Sequence, residues 1–145
     1  MLAAGAGGGW DSAHQPTAFG GVKVGGGPFA LDLQYDRLQG HSGFSTEGSA
    51  VLPLFRVPGY RHFSERKFVK FFAEPGLGYR AGGGQFGGYS SAKVLAVLLT
   101  DTWSDGWVAP YVEFQRRFPF QSPLQGDNRV TVGVMLAVCG HCGLD

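Results

Sequence analysis

The chain has 145 residues, a length that suits one domain, and its net charge of +1 gives no general attraction to nucleic acid. Charged residues make up 16% of the chain, below the roughly 25% that is typical of soluble domains. This shortage of charge indicates that part of the outer surface does not face water. No apolar run approaches the roughly 20 residues of a membrane-spanning helix, so a membrane would have to be crossed by strands.

Strand signals dominate the chain. Gly and Pro interrupt almost every window, and no apolar spacing of 3.6 residues persists beyond two turns, so helices are not expected. Period-two alternation predicts eight strands, at about residues 2–11, 17–25, 29–38, 44–55, 68–81, 90–100, 107–118 and 129–139. A tilted spanning strand needs roughly 9–11 residues, so eight strands with short loops fit the length. The prediction is one domain, 1–145, forming an all-β, eight-stranded antiparallel up-and-down transmembrane β-barrel.

Charges of both signs lie in mid-strand on the polar face of several predicted strands. Together these faces supply ten candidates for the barrel interior, five basic and five acidic: Lys23, Lys70, Arg80, Lys93, Arg117, Asp32, Asp36, Glu47, Glu74 and Glu113. Charges in a narrow interior must be paired, because an unpaired buried charge is costly. The equal count predicts an ion-paired lumen, and eight strands leave no room for an open channel.

The opposite face of the strands is apolar, with aromatic residues near the predicted strand ends. As interfacial girdles we predict Trp10, Phe19, Tyr35, Phe68, Tyr79, Tyr89, Trp103, Trp107 and Phe118. Arg37 and Arg116 also fall on this face, near the C-terminal ends of the third and seventh predicted strands, where long side chains can reach lipid headgroups. Lipopolysaccharide phosphates would suit both arginines as bidentate donors.

Periodicity alone does not distinguish the inside of such a barrel from its outside. The alternative is a soluble barrel or sandwich with the faces reversed, binding a small apolar ligand as lipocalin-like proteins do. Low total charge, Gly on the polar face and aromatics at strand ends favour the membrane interpretation. The opening Met1–Ala4 shows no basic region followed by a long apolar one, so no export signal is visible.

Three segments resemble strands of small OmpA-like outer-membrane β-barrels. Residues 71–79, FFAEPGLGY, resemble the strand "PYvgaGvGy"; residues 108–118 are similar to "lraEyryrf", and residues 128–134 to the closing strand "ntvtvGlsyrF". Their order and spacing match across residues 17–139. The resemblance implies a bacterial outer-membrane protein in contact with membrane lipids and lipopolysaccharide. We therefore expect a structural or anchoring element, or a subunit of an outer-membrane assembly, without catalytic activity or cofactor.

The chain also departs from that pattern. Pro53, Pro75 and Pro110 fall inside predicted strands, where a closed barrel without edges predicts bulges or irregular pairing. The connection 57–67 is long for a turn on the periplasmic side of such a barrel. The tail 139–145 continues past the position where such barrels usually end in an aromatic residue. Both segments lie at the same predicted end, where they could contact other envelope proteins.

Two short motifs raise the question of chemistry. Cys139-Gly140-His141-Cys142 could form a disulfide, contact a metal or partner through His141, or hold two thiols by chance. Redox catalysis is not expected, because three following residues are too few for the helix that lowers the pKa of such a thiol. His62 and Ser64, with Glu65 or Glu74, superficially resemble the set of lipid A deacylases, but a solvated turn is the simpler interpretation. We predict no enzyme and no metal site.

Overall fold

The computed structural model describes residues 1–62, 65–100 and 107–137, with side chains for 1–58, 68–98 and 108–136. Nine strands occupy this part of the chain: β1 (Leu2–Asp11), β2 (Pro16–Gly26), β3 (Phe29–Leu38), β4 (His41–Ala50), β5 (Leu52–His62), β6 (Glu65–Ala81), β7 (Gly87–Thr100), β8 (Trp107–Pro119) and β9 (Asp127–Ala137). No helix in these ranges is long and apolar enough to cross a membrane.

The strands close into a barrel. Each pairs antiparallel with its neighbours in space, and β1 pairs with β9 from Leu2↔Leu136 to Asp11↔Asp127. Only Val51 separates β4 from β5, and β6 pairs with both, so these two form a single wall strand. The predicted fold class, an eight-stranded antiparallel up-and-down barrel, is confirmed. We call the end that holds Met1 and the β2–β3 turn the lower end, and the opposite one the upper end.

The two faces of the wall differ sharply in polarity. Leu33, Val112 and Val132 are 49%, 49% and 58% exposed on the outside, whereas Asp32 and Glu74 are 3% and 0% exposed inside. Other exposed apolar side chains on the outside are Leu2, Val22, Val24, Phe29, Leu31, Leu77, Val94, Phe114, Val130 and Val134. This is the arrangement of a membrane-spanning barrel, with an apolar wall and a polar lumen. The structure contradicts the alternative with reversed faces.

Each proline within a strand lies where a ladder is interrupted. The β4–β6 ladder stops at Ser49↔Gly76 and the β5–β6 ladder starts at Leu52↔Ala73, which leaves Pro75 in the gap. Pro110 lies one residue beyond the last β7–β8 pair, and the register of β5 shifts after Pro53. Because proline has no backbone N–H to donate, these are the positions where it removes least pairing.

The predicted connection 57–67 is wrong, since strands extend into it. β5 continues to His62 and β6 begins at Glu65, so the two form a hairpin. The β3–β4 ladder ends at Phe29↔Ala50, and among the described ladders β5 pairs only with β6. The hairpin therefore extends beyond the barrel rim at the lower end, with one edge of β5 not covered by β3. The fourth predicted strand, 44–55, covers parts of both β4 and β5.

The predicted aromatic girdle needs correction. Trp10, Tyr35, Tyr79 and Phe118 are exposed on the outer wall, in the upper part of the barrel. Phe19 and Tyr89 instead lie inside, 7% and 1% exposed, because their strand phase points them into the lumen. Phe68 also points inward, packing against the lower part of the interior. Trp103 and the side chain of Trp107 lie outside the described residues.

Candidate functional site

The lumen is filled in layers. Its lower layer is apolar and consists of Ala3, Ala30, Val51, Phe72, Leu95, Val97, Ala109, Tyr111 and Met135. Two charged layers lie above it, one built on lysines and one on arginines. Small residues make space for these side chains: a Cβ on Gly76 would lie 2.5 Å from Glu47 Oε1, and one on Gly78 2.5 Å from Tyr89 Cζ. The glycines on the polar face of β6 are therefore a packing requirement.

The middle layer, which we call the lysine layer, joins two lysines to four carboxylates: Lys23, Lys93, Asp32, Glu47, Glu74 and Glu113. Lys23 Nζ lies 2.6 Å from Glu74 Oε2 and also contacts Glu113. Lys93 Nζ lies 2.7 Å from Glu47 Oε1 and also contacts Asp32. Glu47 accepts further hydrogen bonds from Ser91 and Gln115, at 2.6 Å and 2.8 Å. Each lysine thus bridges several strands through the interior.

The upper charged layer, which we call the arginine layer, joins three arginines to two aspartates. Asp36 is fully buried and accepts from Arg80 Nε at 2.8 Å, Arg129 Nη2 at 2.6 Å and Arg117 Nη2 at 3.3 Å. Asp127 accepts from Nε of both Arg117 and Arg129 at 2.5 Å. The guanidinium groups also lie near interior aromatics, with Arg117 4.9 Å from the Tyr89 ring centroid. Charge-assisted hydrogen bonds of this kind hold planar guanidinium groups in fixed positions.

Amide side chains from three loops close the upper end. Gln39 Nε2 donates to Gln125 Oε1 at 2.9 Å, and Gln85 Nε2 donates to Gln39 Oε1 at 3.1 Å. The backbone N–H of Gln125 donates to Gln85 Oε1 at 3.2 Å, completing the ring. We call these three residues the glutamine lid. A small apolar cluster of Leu38, Tyr89 and Leu124 is also buried at this end.

Little space remains in the lumen. A cavity lined by Lys23, Asp32, Gln34, Tyr111 and Glu113, among others, has a volume of about 10 Å³. That volume is enough for about one water molecule. Within the described ranges, no three His, Cys, Asp or Glu side chains are placed to hold a metal ion. The described interior therefore provides packing and charge pairing, and it has no room for a substrate.

Nine of the ten predicted lumen residues lie in these two charged layers. Lys70 does not: it is closer to the lower end, with its Nζ 5.5 Å from the Phe72 ring centroid. The prediction missed Arg129, which opens the predicted strand 129–139 on its polar face, and Asp127, which lies two residues upstream on the same face. Within these two layers, the ion pairs join five bases to six carboxylates, because Asp127 and Arg129 add to the nine predicted residues.

The two arginines predicted to contact lipid headgroups are exposed on the outer wall near the upper end. Arg37 Nε donates to the carbonyl of Gly40 at 3.4 Å, and the Arg116 guanidinium lies 5.3 Å from the Phe118 ring centroid. A surface depression of about 310 Å³ beside Arg116 also includes Ser12 and Asn128. Arg37 on β3 and Arg116 on β8 are four strands apart around the barrel, and hence on opposite sides.

Of the residues that resembled a deacylase set, Glu74 lies apart from the β5–β6 hairpin that carries His62 and Glu65. His62 and Glu65 are cross-strand partners in the β5–β6 hairpin, whereas Glu74 is buried in the lumen against Lys23. Ser64 lies outside the described residues, as do Cys139, Cys142 and the rest of the tail to residue 145. Glu74 is separated from the hairpin tip by the apolar lower layer of the lumen. It is therefore not placed to act together with His62.

No protein-family model matches the chain, and no curated protein matches it. Among solved structures, the chain is similar to the solution NMR structure of the de novo designed TMB2.3, with a TM-score of 0.49 and 13% sequence identity, over 92% of this chain and 91% of that chain. The function of this chain is therefore inferred from its own side chains.

Proposed function

We propose that this chain is a non-enzymatic β-barrel of the bacterial outer membrane, similar to the small OmpA-like barrels. It serves as a structural or anchoring element, or as a subunit of an outer-membrane assembly. The observation that carries this proposal is the filled, ion-paired lumen inside an apolar wall. In such a barrel, the apolar wall contacts lipid and fixes the protein in the membrane. Because the lumen is filled, other molecules can contact only the rims and the outer wall.

The packing of the lumen supports a structural role over transport. The lysine layer, the arginine layer and the glutamine lid follow one another along the barrel axis, and the interior cavity beside Lys23 holds only about 10 Å³. Moving a solute through would require breaking many buried ion pairs together. Each broken pair leaves an uncompensated charge in a dry interior, which is strongly unfavourable. No open conductance is expected in a planar bilayer.

Contact with lipopolysaccharide is supported by the upper rim. Arg37 and Arg116 are exposed there, just above the apolar wall, where a guanidinium can reach a phosphate while its methylene groups stay on apolar surface. Exposed aromatics, including Tyr35 and Phe118, lie at the same end, as expected at a membrane–water interface. Lipids of the outer membrane are therefore the partners we propose first.

The lipocalin-like alternative receives less support. That function needs an apolar cavity inside the barrel, but the described lumen is polar in its middle and upper parts. Its lower, apolar part is occupied by side chains such as Phe72, Leu95 and Met135, each at most 2% exposed. An apolar ligand would have to displace them.

Cell fractionation tests the proposal directly. The chain is expressed behind a cleavable export signal in a Gram-negative bacterium, and envelope fractions are separated by density. We expect it in the outer-membrane fraction, extractable only with detergent and migrating differently on gels before and after heating. Recovery from the periplasm without detergent would instead support the soluble alternative. A steady open conductance of the purified barrel would contradict the closed-lumen proposal.

A further inference from the structure

The outer wall has a depression of about 480 Å³ near the junction of β4 and β5, and no charged residue lines it. We call it the wall recess; its lining includes Phe29, Gly48, Ser49, Pro75 and Leu77. Phe29 on β3 and Leu77 on β6 are 67% and 65% exposed on its two sides. Gly48 on β4 lies between these strands, and a Cβ added to it would meet no atom within 4 Å. The apolar wall therefore contains a space that its own side chains do not fill.

The wall recess lies where backbone pairing between two strands stops. The β4–β6 ladder ends at Ser49↔Gly76, and the next residue of β4 would face Pro75, which has no N–H to donate. The N–H of Val51 donates instead to the carbonyl of Pro28 at 2.7 Å, toward the β2–β3 turn and away from β6. The wall is thus not joined by backbone hydrogen bonds at this point, until β5 begins to pair with β6.

One polar group of the wall recess lacks a partner. Ser49 is 6% exposed, and its hydroxyl makes no hydrogen bond with any described residue. A buried hydroxyl without a hydrogen bond is unfavourable. The apolar surroundings of a membrane offer little water to replace the missing partner. An occupant that brings a hydrogen-bond acceptor would therefore be favoured over a purely apolar one.

The depth of the wall recess indicates which acceptor is available. Phe29 directly follows the β2–β3 turn, and its pair with Ala50 is the last of the β3–β4 ladder at the lower end. The apolar band of a spanning barrel ends near the strand ends. Ester carbonyls of phospholipids lie at the same boundary, between the acyl chains and the headgroups. A phospholipid can thus place an acyl chain in the recess and a carbonyl near Ser49.

Other occupants match the wall recess less well. A free fatty acid carries a carboxylate, and no basic residue lines the recess to neutralise it. The outer wall of a second copy presents mainly apolar side chains, such as Leu33 and Val132, which cannot accept a hydrogen bond from Ser49. A neutral ester carbonyl on an acyl chain meets both requirements. The recess is also continuous with the apolar wall, so the surrounding lipid reaches it directly.

We propose that the wall recess binds an acyl chain of one phospholipid from the leaflet at the lower end of the barrel, and that the ester carbonyl of this chain accepts a hydrogen bond from Ser49. The inference rests on the membrane-spanning placement proposed above. The acyl chain packs over Gly48, between Phe29 and Leu77. The bound phospholipid thereby covers the point where the β4–β6 ladder is interrupted.

The test compares two lipids that differ in their carbonyl groups. The full chain is refolded into vesicles that contain equal amounts of a diester phosphatidylcholine and of its diether analogue, with chains of the same length. After extraction in mild detergent, the lipid that remains bound is identified by native mass spectrometry. We expect the wild-type chain to retain one phospholipid, and to prefer the diester form about fivefold, which corresponds to the net contribution of one hydrogen bond.

Two substitutions separate the hydrogen bond from the space. Ser49→Ala removes the hydroxyl and should abolish the preference for the diester form, whereas a purely structural role of Ser49 would leave that preference unchanged. Gly48→Leu fills the wall recess and should abolish retention of both lipids. The matched control, Gly20→Leu, adds the same side chain on β2, where the atom nearest to an added Cβ is 3.7 Å away. This control should retain phospholipid as the wild-type chain does.

Other outcomes separate the two proposals. Heat-modifiable migration reports folding and insertion by itself, so failure of the wild-type chain to insert would overturn the proposed function. Insertion without a retained phospholipid, or with the diester preference unchanged in Ser49→Ala, would overturn only the phospholipid site. Displacement of the phospholipid by an equimolar amount of oleic acid would identify a free fatty acid as the occupant instead. A cross-linked dimer that retains no lipid and is lost in Gly48→Leu would identify a second copy, and would equally overturn the phospholipid site.

Discussion

Arg129 Nη2 donates to Asp36 Oδ2 at 2.6 Å, joining β9 to β3 through the interior of the barrel. Two further strands, β1 and β2, lie between them along the wall. Asp36 also accepts from Arg80 and Arg117, so a single carboxylate joins four strands. Such a contact resists changes in the cross-section of the barrel, which the backbone ladders alone would not.

Replacing Asp36 by Asn should destabilise the barrel by about 3–5 kcal/mol, the usual cost of removing one partner from a buried ion pair. The amide preserves the shape but leaves three guanidinium groups with less negative charge to neutralise them. Urea unfolding in detergent micelles, followed by gel mobility, measures the difference. As a control, Ser42→Ala changes an exposed position on β4 and should leave the unfolding midpoint unchanged. Equal midpoints for both variants would show that the arginine layer does not stabilise the fold.

Val132→Arg tests the apolar wall. Val132 is 58% exposed in the middle of β9, facing outward. An arginine on the lipid face near the bilayer midplane costs about 2–4 kcal/mol, whereas on a surface in water it would cost little. Reversible folding into phosphatidylcholine vesicles gives the free energy of unfolding, with Val132→Leu as the matched control. If the arginine variant folds as stably as wild type in these vesicles, this part of the wall does not face lipid.

Gly78→Ala should show how tightly the lumen is packed. The added Cβ would lie 2.5 Å from Cζ of Tyr89, a ring that is 1% exposed and lies next to the Arg117 guanidinium. Overpacking of this kind typically costs about 1–3 kcal/mol. The same substitution at Gly48, where an added Cβ has no neighbour within 4 Å, is the control. We expect a lower urea midpoint for Gly78→Ala only. An unchanged midpoint for Gly78→Ala would mean that the Tyr89 ring moves aside without cost.

Arg37 and Arg116 should contribute independently to lipopolysaccharide retention. They lie on opposite sides of the barrel, and distant sites without shared partners have additive energies. Each Arg→Gln variant should weaken binding about fivefold, which corresponds to about 1 kcal/mol per cation near an anionic lipid surface. The double variant should then lose the product of the two factors. Co-purified lipopolysaccharide, measured per folded barrel, gives these ratios. Full retention in the double variant would remove both arginines from the proposed site.

Local alternation was sufficient to predict the wall of the barrel. Along β3, Leu31 and Leu33 alternate with Asp32, and the structure places the first two outside and the third inside. This works because successive side chains of a strand point to opposite faces whatever the strand pairs with. Low charge and abundant glycine then favoured a polar interior, and the structure shows the same arrangement.

Contacts across the lumen were not predictable in this way. The pairing of Asp36 with Arg129 and the glutamine lid depend on how far neighbouring strands are shifted when the sheet closes. Likewise, residues 57–62 and 65–67 belong to paired strands because β6 is long enough to pair with β5 below the last β3–β4 pair. The sequence by itself determined which face of each strand is apolar, since that property repeats every two residues. Only the tertiary structure decided which charges meet and where the wall extends, because closure brings together residues that are far apart in the chain.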